Sequence, residues 1–308
     1  MIVLSLFDGC SCAQVALKRS NITITKYYAS EVDKYVIETT QKNFPDTIQL
    51  GDVKNWKEWN IPKPDLIVGG SPCQGFSFAG KKLNFEDDRS KLFFEYVDIV
   101  HHFQPKYFLF ENVKMKKEYE NIITKLLGVK PVEINSALVS AQTRKRLYWC
   151  NWDLTQPADK KIYLKDIVLD NVDKKYYLTD VAKERLITIN KRAEEKGLGY
   201  KDCIIDVYRE NSKFRNLDAN FFKGPDGKRG VLLTDDLRTP TPLECERLQT
   251  LPDDYTDGVS NSQRYKMLGN GFTVDVISHI LECRTDVPKK LNVNTDYVTI
   301  QKEVGGNI

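Results

Sequence analysis

Asp65-Leu66-Ile67-Val68-Gly69-Gly70-Ser71-Pro72-Cys73 is the stretch of the sequence that decides the fold class. It begins with a short, mostly apolar run, which predicts a buried strand of a parallel sheet. A glycine pair, a proline and a cysteine follow where such a strand would meet its loop. In open α/β sheets, ligands bind at this end of the strands. The stretch therefore predicts an α/β protein with its functional site at the carboxyl edge of a parallel sheet.

Cys73 has a functional and a structural interpretation. Pro72 fixes its own backbone angle and restricts Ser71, so the cysteine would lie on a stiff loop. The neighbouring glycines allow another molecule to approach the backbone closely. These are the surroundings expected of a nucleophilic thiol. The alternative is a buried, inert cysteine, which more often lies inside a strand. The loop alone leaves both interpretations open.

Two later segments place charged residues beside predicted strands. The apolar run 107–110 leads into Glu111-Asn112-Val113, and a second strand-like run extends from Gln142 to Trp149. Alternation along that second run predicts that Arg144 and Arg146 lie on one face of the strand.

In this order, the segments Pro72 to Ser77, Glu111 to Val113 and Gln142 to Arg146 resemble three motifs of the cytosine-5 DNA methyltransferase family, of prokaryotic or phage type. Three ordered matches are more specific than any one of them. The resemblance implies a Rossmann-like sheet that uses S-adenosylmethionine as methyl donor, with a second, small target-recognition lobe. It also implies methyl transfer to carbon 5 of a flipped-out cytosine in a specific DNA sequence, because a stacked base hides the ring.

The resemblance implies a role for each residue of these motifs. The thiolate of Cys73 would attack ring carbon 6, Glu111 would donate a proton to ring nitrogen 3, and Arg146 would contact the base oxygen. Arg144 would assist at the same base or at the adjoining phosphate. Further contacts with the substrate are implied for Gln74, Ser77 and Gln142.

The N-terminal segment predicts a strand, a turn of small residues and a helix, over Ile2 to Phe7, Asp8 to Ala13 and Gln14 to Lys18. Such a turn suits a nucleotide-type ligand. It resembles the family's first motif, an FxGxGG-type loop against S-adenosylmethionine, although only Gly9 of those glycines remains. Its C-x-C pair, Cys10 and Cys12, has no second pair at ligand spacing, so we predict no metal.

Acidic residues follow the next two predicted strands. Glu31 ends the run 27–31, about twenty residues after the glycine turn, where an acidic group can accept ribose hydroxyls. Asp52 lies in the run 48–53, where the resemblance implies contact with the adenine amino group. For each, a helix cap or a solvated charge is the alternative. The complete set of implied cofactor residues is Phe7, Asp8, Gly9, Glu31, Val32, Asp52, Val53, Pro72, Leu92, Asn270 and Phe272.

Two C-terminal segments extend the resemblance. Thr241 to Gln249 places a threonine at a helix cap and a proline in the first turn. It resembles the family's TP-x-E-x-x-RLQ motif, which holds the recognition region together. Leu268 to Val274 resembles the last family motif, GN-x-x, and leads into a predicted helix from Asp275 to Leu281.

The motif positions predict the domain organisation. Residues 1–155 and 236–284 would form a discontinuous catalytic domain, 156–235 a small target-recognition region, and 285–308 a C-terminal tail. The pattern over 180–196 predicts a solvated helix. In 201–237, basic and aromatic residues are interleaved around a turn, which suits contacts to phosphates and bases, and we expect Arg229 to be one of them. The alternative is a lysine-rich surface over a small aromatic core.

Composition sets broad limits. The 308 residues are 41% hydrophobic and 29% charged, which is typical of a globular protein. Seven scattered cysteines favour a reducing compartment, and no apolar run is long enough to cross a membrane. We therefore expect a cytoplasmic protein. The family resemblance implies that it acts on double-stranded DNA, as a monomer, and that any cognate restriction endonuclease is a separate protein. The net charge of +3 permits DNA binding without predicting it.

Two alternatives belong to other functional classes. One is an RNA cytosine-5 methyltransferase, which acts on transfer RNA. The other is a catalytically silent homologue that only binds DNA, although it would have no chemical need for Cys73, Glu111 and Arg146 together.

Overall fold

The computed structural model describes residues 1–71, 88–197, 204–223, 230–286 and 288–289. Within these ranges, seven strands form one sheet: β1 Ile2–Leu6, β2 Lys26–Ser30, β3 Ile48–Gln49, β4 Leu66–Gly69, β5 Tyr107–Val113, β6 Val132–Asn135 and β7 Lys145–Cys150. Their order across the sheet is β3-β2-β1-β4-β5-β7-β6. Strands β1 to β5 pair in parallel, and β7 pairs antiparallel with β5.

The α-helices over the same ranges are α1 Cys12–Arg19, α2 Lys34–Asn43, α3 Asp88–Phe103, α4 Lys117–Leu127, α5 Asp180–Glu195, α6 Pro242–Leu248, α7 Asn261–Asn270 and α8 Val274–Glu282. The predicted cap of α6 is confirmed: Thr241 accepts from the Glu244 amide, and the Glu244 carboxylate accepts from the Thr241 amide. The α/β class and the Rossmann-like arrangement predicted from the sequence are confirmed.

The register of the sheet brings the ends of its strands level. Leu6 lies opposite Ser30 on one side and Gly69 on the other, and Gly69 lies opposite Phe110. A side chain at Gly69 would clash, because its Cβ would lie 2.6 Å from the Leu6 carbonyl oxygen. The glycine therefore lets β1 and β4 approach closely at the edge where the site was predicted.

Three predicted strand boundaries differ from the structure. β5 continues to Val113, so Glu111 lies within the strand because β7 supplies it with a partner. β7 begins only at Lys145, so Arg144 lies before the strand. β3 ends at Gln49, and Asp52 instead caps a 3-10 helix, Val53–Glu58, by accepting from the Lys54 amide at 3.0 Å.

The chain divides into two compact units. Unit 1 comprises Met1–Ile134, Lys145–Gln156 and Ile277–Ile308, and unit 2 comprises Asn135–Arg144 and Pro157–Val276. The core of unit 1 packs aromatic and aliphatic side chains of the sheet against α3 and α4, including Leu4, Tyr96, Phe108, Ile123 and Trp149. This division describes how compactly the chain is folded and does not show what each part does. The functional domains expected from the motifs therefore stay a prediction.

Unit 2 carries a smaller sheet. Over its described residues, the strands β8 Ile204–Asp206, β9 Val231–Leu233 and β10 Leu237–Arg238 lie in the order β10-β9-β8. Phe214 and Phe221 are buried beside this sheet region, whereas Tyr208 is 65% exposed. Part of the predicted basic-aromatic surface is therefore a small aromatic core. No helix among the described residues has the length and apolar character needed to span a membrane.

Candidate active site

Glu111 and Arg146 form an ion pair on neighbouring strands. In the antiparallel register of β5 and β7, Val113 lies opposite Arg146 and Glu111 lies opposite Tyr148. The Arg146 Nε lies 3.1 Å from Glu111 Oε1, and their side chains are only 12% and 14% exposed. The predicted proton donor and the predicted base contact are thus brought together.

The end of β4 lies beside this pair. Asn112 Nδ2 lies 3.4 Å from the hydroxyl of Ser71, and both side chains are buried. Ser71 is the last described residue before the predicted nucleophile, two positions further along the chain. Outside the described residues lie Pro72, Cys73, Gln74, Ser77 and Arg229.

The turn after β1 is held by a buried carboxylate. Asp8 is 5% exposed and accepts hydrogen bonds from the Ser11 hydroxyl and, at 2.7 Å, from the Tyr27 hydroxyl. Burial raises the pKa of Asp8 from 3.8 to about 6, against the lowering effect of these hydroxyl donors. Phe7, Gly9 and Ser11 all have positive φ angles, of 56°, 58° and 54°. The hydrogen bond between the side chains of Asp8 and Ser11 thus closes this turn. In the family motif, glycines occupy the corresponding positions.

Further hydroxyl and amide groups support this turn. Thr40 and Gln14 both donate to the Ser11 hydroxyl, at 3.3 Å and 3.2 Å. Sequence reasoning missed Tyr27, Thr40 and Gln14, because their proximity to the turn follows from the parallel pairing of β1 with β2 and from the packing of α1 and α2. No local motif marks them.

Glu31 joins the first turn to the end of β2. One carboxylate oxygen accepts from the Gly9 amide at 3.0 Å, and the other accepts from the amides of Val32 and Asp33 at 2.8 Å and 3.0 Å. A carboxylate offers about four acceptor positions. These bonds leave room for a ribose hydroxyl, so the residues fit the nucleoside end of S-adenosylmethionine.

The other predicted cofactor residues have diverse surroundings. Val32 is 69% exposed, which leaves an apolar surface beside Glu31. Val53 is buried in the core of unit 1, and Leu92 packs against that core. Asn270 and Phe272 belong to unit 2, at and just after the end of α7. Their cofactor roles stay predictions.

The two Cys thiols of the turn are buried, with their Sγ atoms 3.7 Å apart. Their mutual hydrogen bond, together with burial, raises the pKa of Cys10 well above its usual value. Among the residues the structure describes, no group of three His, Cys, Asp or Glu side chains could hold a metal ion.

Gln142 and Arg144 belong to unit 2, whereas Arg146 belongs to unit 1. Both side chains are buried, at 0% and 4% exposure. The Gln142 amide donates to the Leu248 carbonyl at 2.7 Å and to the Gln249 side chain at 2.8 Å. Arg144 donates to protein carbonyl and amide oxygens. The expectation that Arg144 and Arg146 share the face of one strand is therefore wrong, since β7 holds only Arg146.

Comparison with known proteins places the chain in one family. The family model for C-5 cytosine-specific DNA methylases matches residues 1–284. The type II methyltransferase M1.ScrFI of Lactococcus lactis subsp. cremoris is 33% identical over 317 residues, which cover 94% of this chain and 79% of that protein. The type II methyltransferase M.NlaX of Neisseria lactamica is 30% identical, with coverage of 91% and 95%.

A solved structure shows the same fold. The Entamoeba histolytica methyltransferase EhMeth superposes with a TM-score of 0.71 at 18% identity and covers 92% of this chain and 97% of its own. The chain belongs to the C-5 cytosine-specific DNA methylase family. It is accordingly a transferase that methylates carbon 5 of cytosine in DNA, with S-adenosylmethionine as the methyl donor.

We expect the buried Asp8 to make the protein less stable as pH rises. Because its folded pKa is raised from 3.8 to about 6, its contribution is fully present below about pH 4 and is lost as pH rises through about 6. Asp8→Asn should remove this loss, which is on the order of 2–3 kcal/mol. Urea unfolding from pH 4 to 7.5 measures it. Tyr27→Phe removes a hydrogen-bond donor to Asp8, so the loss of stability should extend to higher pH. If the stability of Asp8→Asn depends on pH as steeply as that of the parent, another group causes the loss.

Glu31→Ala should weaken S-adenosylmethionine binding by roughly 1–3 kcal/mol, the loss expected when a charged acceptor is removed. Affinity for DNA should stay nearly unchanged. Calorimetry with the cofactor measures the effect, and Glu38→Ala, an exposed glutamate on α2, is the matched control. Equal cofactor affinity in Glu31→Ala and the parent would remove Glu31 from the site.

Proposed function

We propose that the enzyme methylates a flipped-out cytosine in a specific sequence of double-stranded DNA, through a covalent adduct with Cys73. The Cys73 sulfur forms a bond to ring carbon 6, which turns the ring into an enamine whose carbon 5 can accept a methyl group. Loss of the carbon 5 proton, with water as base, then breaks the carbon–sulfur bond and restores the ring. Bound S-adenosylmethionine supplies the methyl group as a sulfonium.

The pairing of Glu111 with Arg146 is the observation that carries this proposal. Both side chains are largely buried, and the adjacent Asn112 bonds to Ser71, which precedes Cys73 by two positions in the sequence. A carboxyl group and a guanidinium held together are the complementary partners for ring nitrogen 3 and the base oxygen of cytosine. Negative charge that develops on the ring would be stabilised by the Arg146 guanidinium and by a proton held on Glu111.

The same pair supports a change of partner when the base enters. In the structure, the guanidinium of Arg146 is paired with the carboxyl group of Glu111. When Arg146 turns to the base oxygen, Glu111 loses its cation and can hold the proton that it donates to nitrogen 3. Arg146 would thus couple base binding to protonation of Glu111.

Residues of unit 1 would hold the cofactor. Glu31 would accept a ribose hydroxyl, the exposed Val32 would cover the adenine ring, and Asp52 would accept from its amino group. The Asp8–Ser11 bond would keep the turn in shape without its glycines. No metal is part of this chemistry, because the thiolate and the sulfonium supply both reacting groups.

The wider assignments follow from the substrate. DNA as substrate supports action in the cytoplasm, on the nucleoid of a bacterial cell or on phage DNA. We propose that the enzyme acts as a monomer, since catalytic and recognition residues are all found on one chain. Relatives named type II methyltransferases support a separate cognate restriction endonuclease.

Cys73→Ser should lose methyl transfer while still binding S-adenosylmethionine, because oxygen is a far weaker nucleophile than a thiolate. Duplex DNA with 5-fluorocytosine should trap the parent enzyme as an adduct, since fluorine cannot leave as a cation. Cys283→Ser, at a half-exposed thiol, is the matched control. Mass spectrometry of the trapped protein decides the question, with transfer RNA as a second substrate. An adduct on Cys73→Ser, or transfer to transfer RNA alone, contradicts the proposal.

Glu111→Gln should lower kcat by about 10²–10⁴, the usual contribution of a general acid, with little change in KM for DNA. Single-turnover methylation of duplex DNA measures the chemical step. Glu118→Gln, at an exposed glutamate on α4, serves as the control. A Glu111→Gln rate close to that of the parent would show that no proton passes through this residue.

A further inference from the structure

Arg144 uses both terminal nitrogens of its guanidinium to join two separate segments of unit 2. One nitrogen donates to the Asn216 side chain at 3.1 Å and to the Leu217 carbonyl at 2.7 Å. The other donates to the carbonyls of Gly269 and Gly271, at 3.2 Å and 3.0 Å. The planar guanidinium fork thereby ties residues 216–217 to the end of α7.

The burial of this cation has a physical explanation. Gly269 and Gly271 lie at the C-terminal end of α7, whose last carbonyls lack donors within the helix. The negative end of the helix dipole favours a cation there. The Arg144 backbone is itself anchored, because its amide donates to Asn135 Oδ1 at 3.1 Å and its carbonyl accepts from the Ser136 amide at 2.9 Å.

The segment before Arg144 docks on the same part of unit 2. The Phe214 amide donates to the Ala141 carbonyl at 2.7 Å, and the Thr143 amide donates to the Phe214 carbonyl at 2.8 Å. Gln142 reaches in addition to Leu248 and Gln249. Residues 141–144 therefore hold residues 214–217 by main-chain and side-chain bonds together.

Gly269 makes the third contact. A Cβ on Gly269 would lie 2.2 Å from the carbonyl carbon of Asp218, so the end of α7 touches the main chain of residues 218–219. Residues 214–219, which we call the docked segment, are thus fixed by residues 141–144 on one side and by the end of α7 on the other. The docked segment lies inside the region predicted to recognise DNA.

We propose that Arg144 is a positioning residue for DNA recognition, which fixes the docked segment and has no contact with the reacting base. This inference rests on the proposed role of residues 156–235 in recognition. Without Arg144, the docked segment loses its bridge to α7, and DNA must restore its order on binding. The catalytic pair Glu111 and Arg146 belongs to unit 1 and keeps its own contacts.

The test is steady-state and single-turnover methylation of duplex oligonucleotides by Arg144→Met and Arg144→Lys. Bisulfite sequencing of DNA from cells that express the parent enzyme first identifies the site. We expect Arg144→Met to raise KM for this site about ten- to hundredfold and to reduce discrimination against altered sites, with kcat within about threefold of the parent. Arg144→Lys keeps the charge but reaches fewer acceptors, so its KM should lie between those of the parent and Arg144→Met.

Arg264→Lys is the matched control, since Arg264 is a partly buried arginine of unit 2 that bonds instead to Glu246 and Thr256. It should lower stability without changing KM or site preference. Should Arg144→Met not fold, Asn216→Ala removes one exposed acceptor and should raise KM about two- to fivefold.

Two outcomes overturn the inference. A loss of kcat in Arg144→Met with unchanged KM and site preference would place Arg144 at the base. Unchanged kinetics in both Arg144→Met and Asn216→Ala would show that the docked segment needs no bridge. In either case, a parent enzyme that methylates its mapped site keeps the proposed function, whereas a parent that methylates no duplex DNA rejects that function itself.

Discussion

The level alignment of strand ends in the parallel sheet is the constraint on which the site depends. Ser30, Leu6, Gly69 and Phe110 form one row across four strands. Residues just beyond this row, such as Glu31 and Glu111, are consequently delivered to one edge although they are distant in sequence. Hydrogen bonding fixes the register, and a shift by one residue would turn each side chain to the opposite face.

Burying charge at this edge has a cost in stability. Asp8 lies in a dry turn where burial disfavours its ionised form. Hydroxyl donors from Ser11 and Tyr27 offset part of that cost and make the turn rigid without its glycines. Glu111 and Arg146 differ from Asp8, because each of these two charges has the other as its partner. Active sites commonly retain such groups at the expense of stability.

Unit 2 is organised by buried polar groups that satisfy one another. Arg144 meets carbonyls at the end of α7, and Gln142 meets Leu248 and Gln249. Such networks specify one arrangement, because any other leaves donors or acceptors without partners in a medium of low dielectric constant. The segment that carries them leads directly into β7, so Arg146, which pairs with Glu111, follows two positions after Arg144.

The sequence by itself determined the strands of the catalytic edge, the turn after β1 and the helix cap at Thr241, because short apolar runs, small residues and capping residues act locally. It also indicated Glu31 and Glu111, which follow such runs directly. Only the tertiary structure decided the partners of the Arg144 side chain and the support of the turn by Tyr27 and Thr40. The partners of the Arg144 guanidinium lie 72 to 127 residues away in the chain, and no local periodicity encodes contacts at that separation. The alternation that correctly placed Arg146 on a strand failed for Arg144 because β7 begins one residue later, at Lys145.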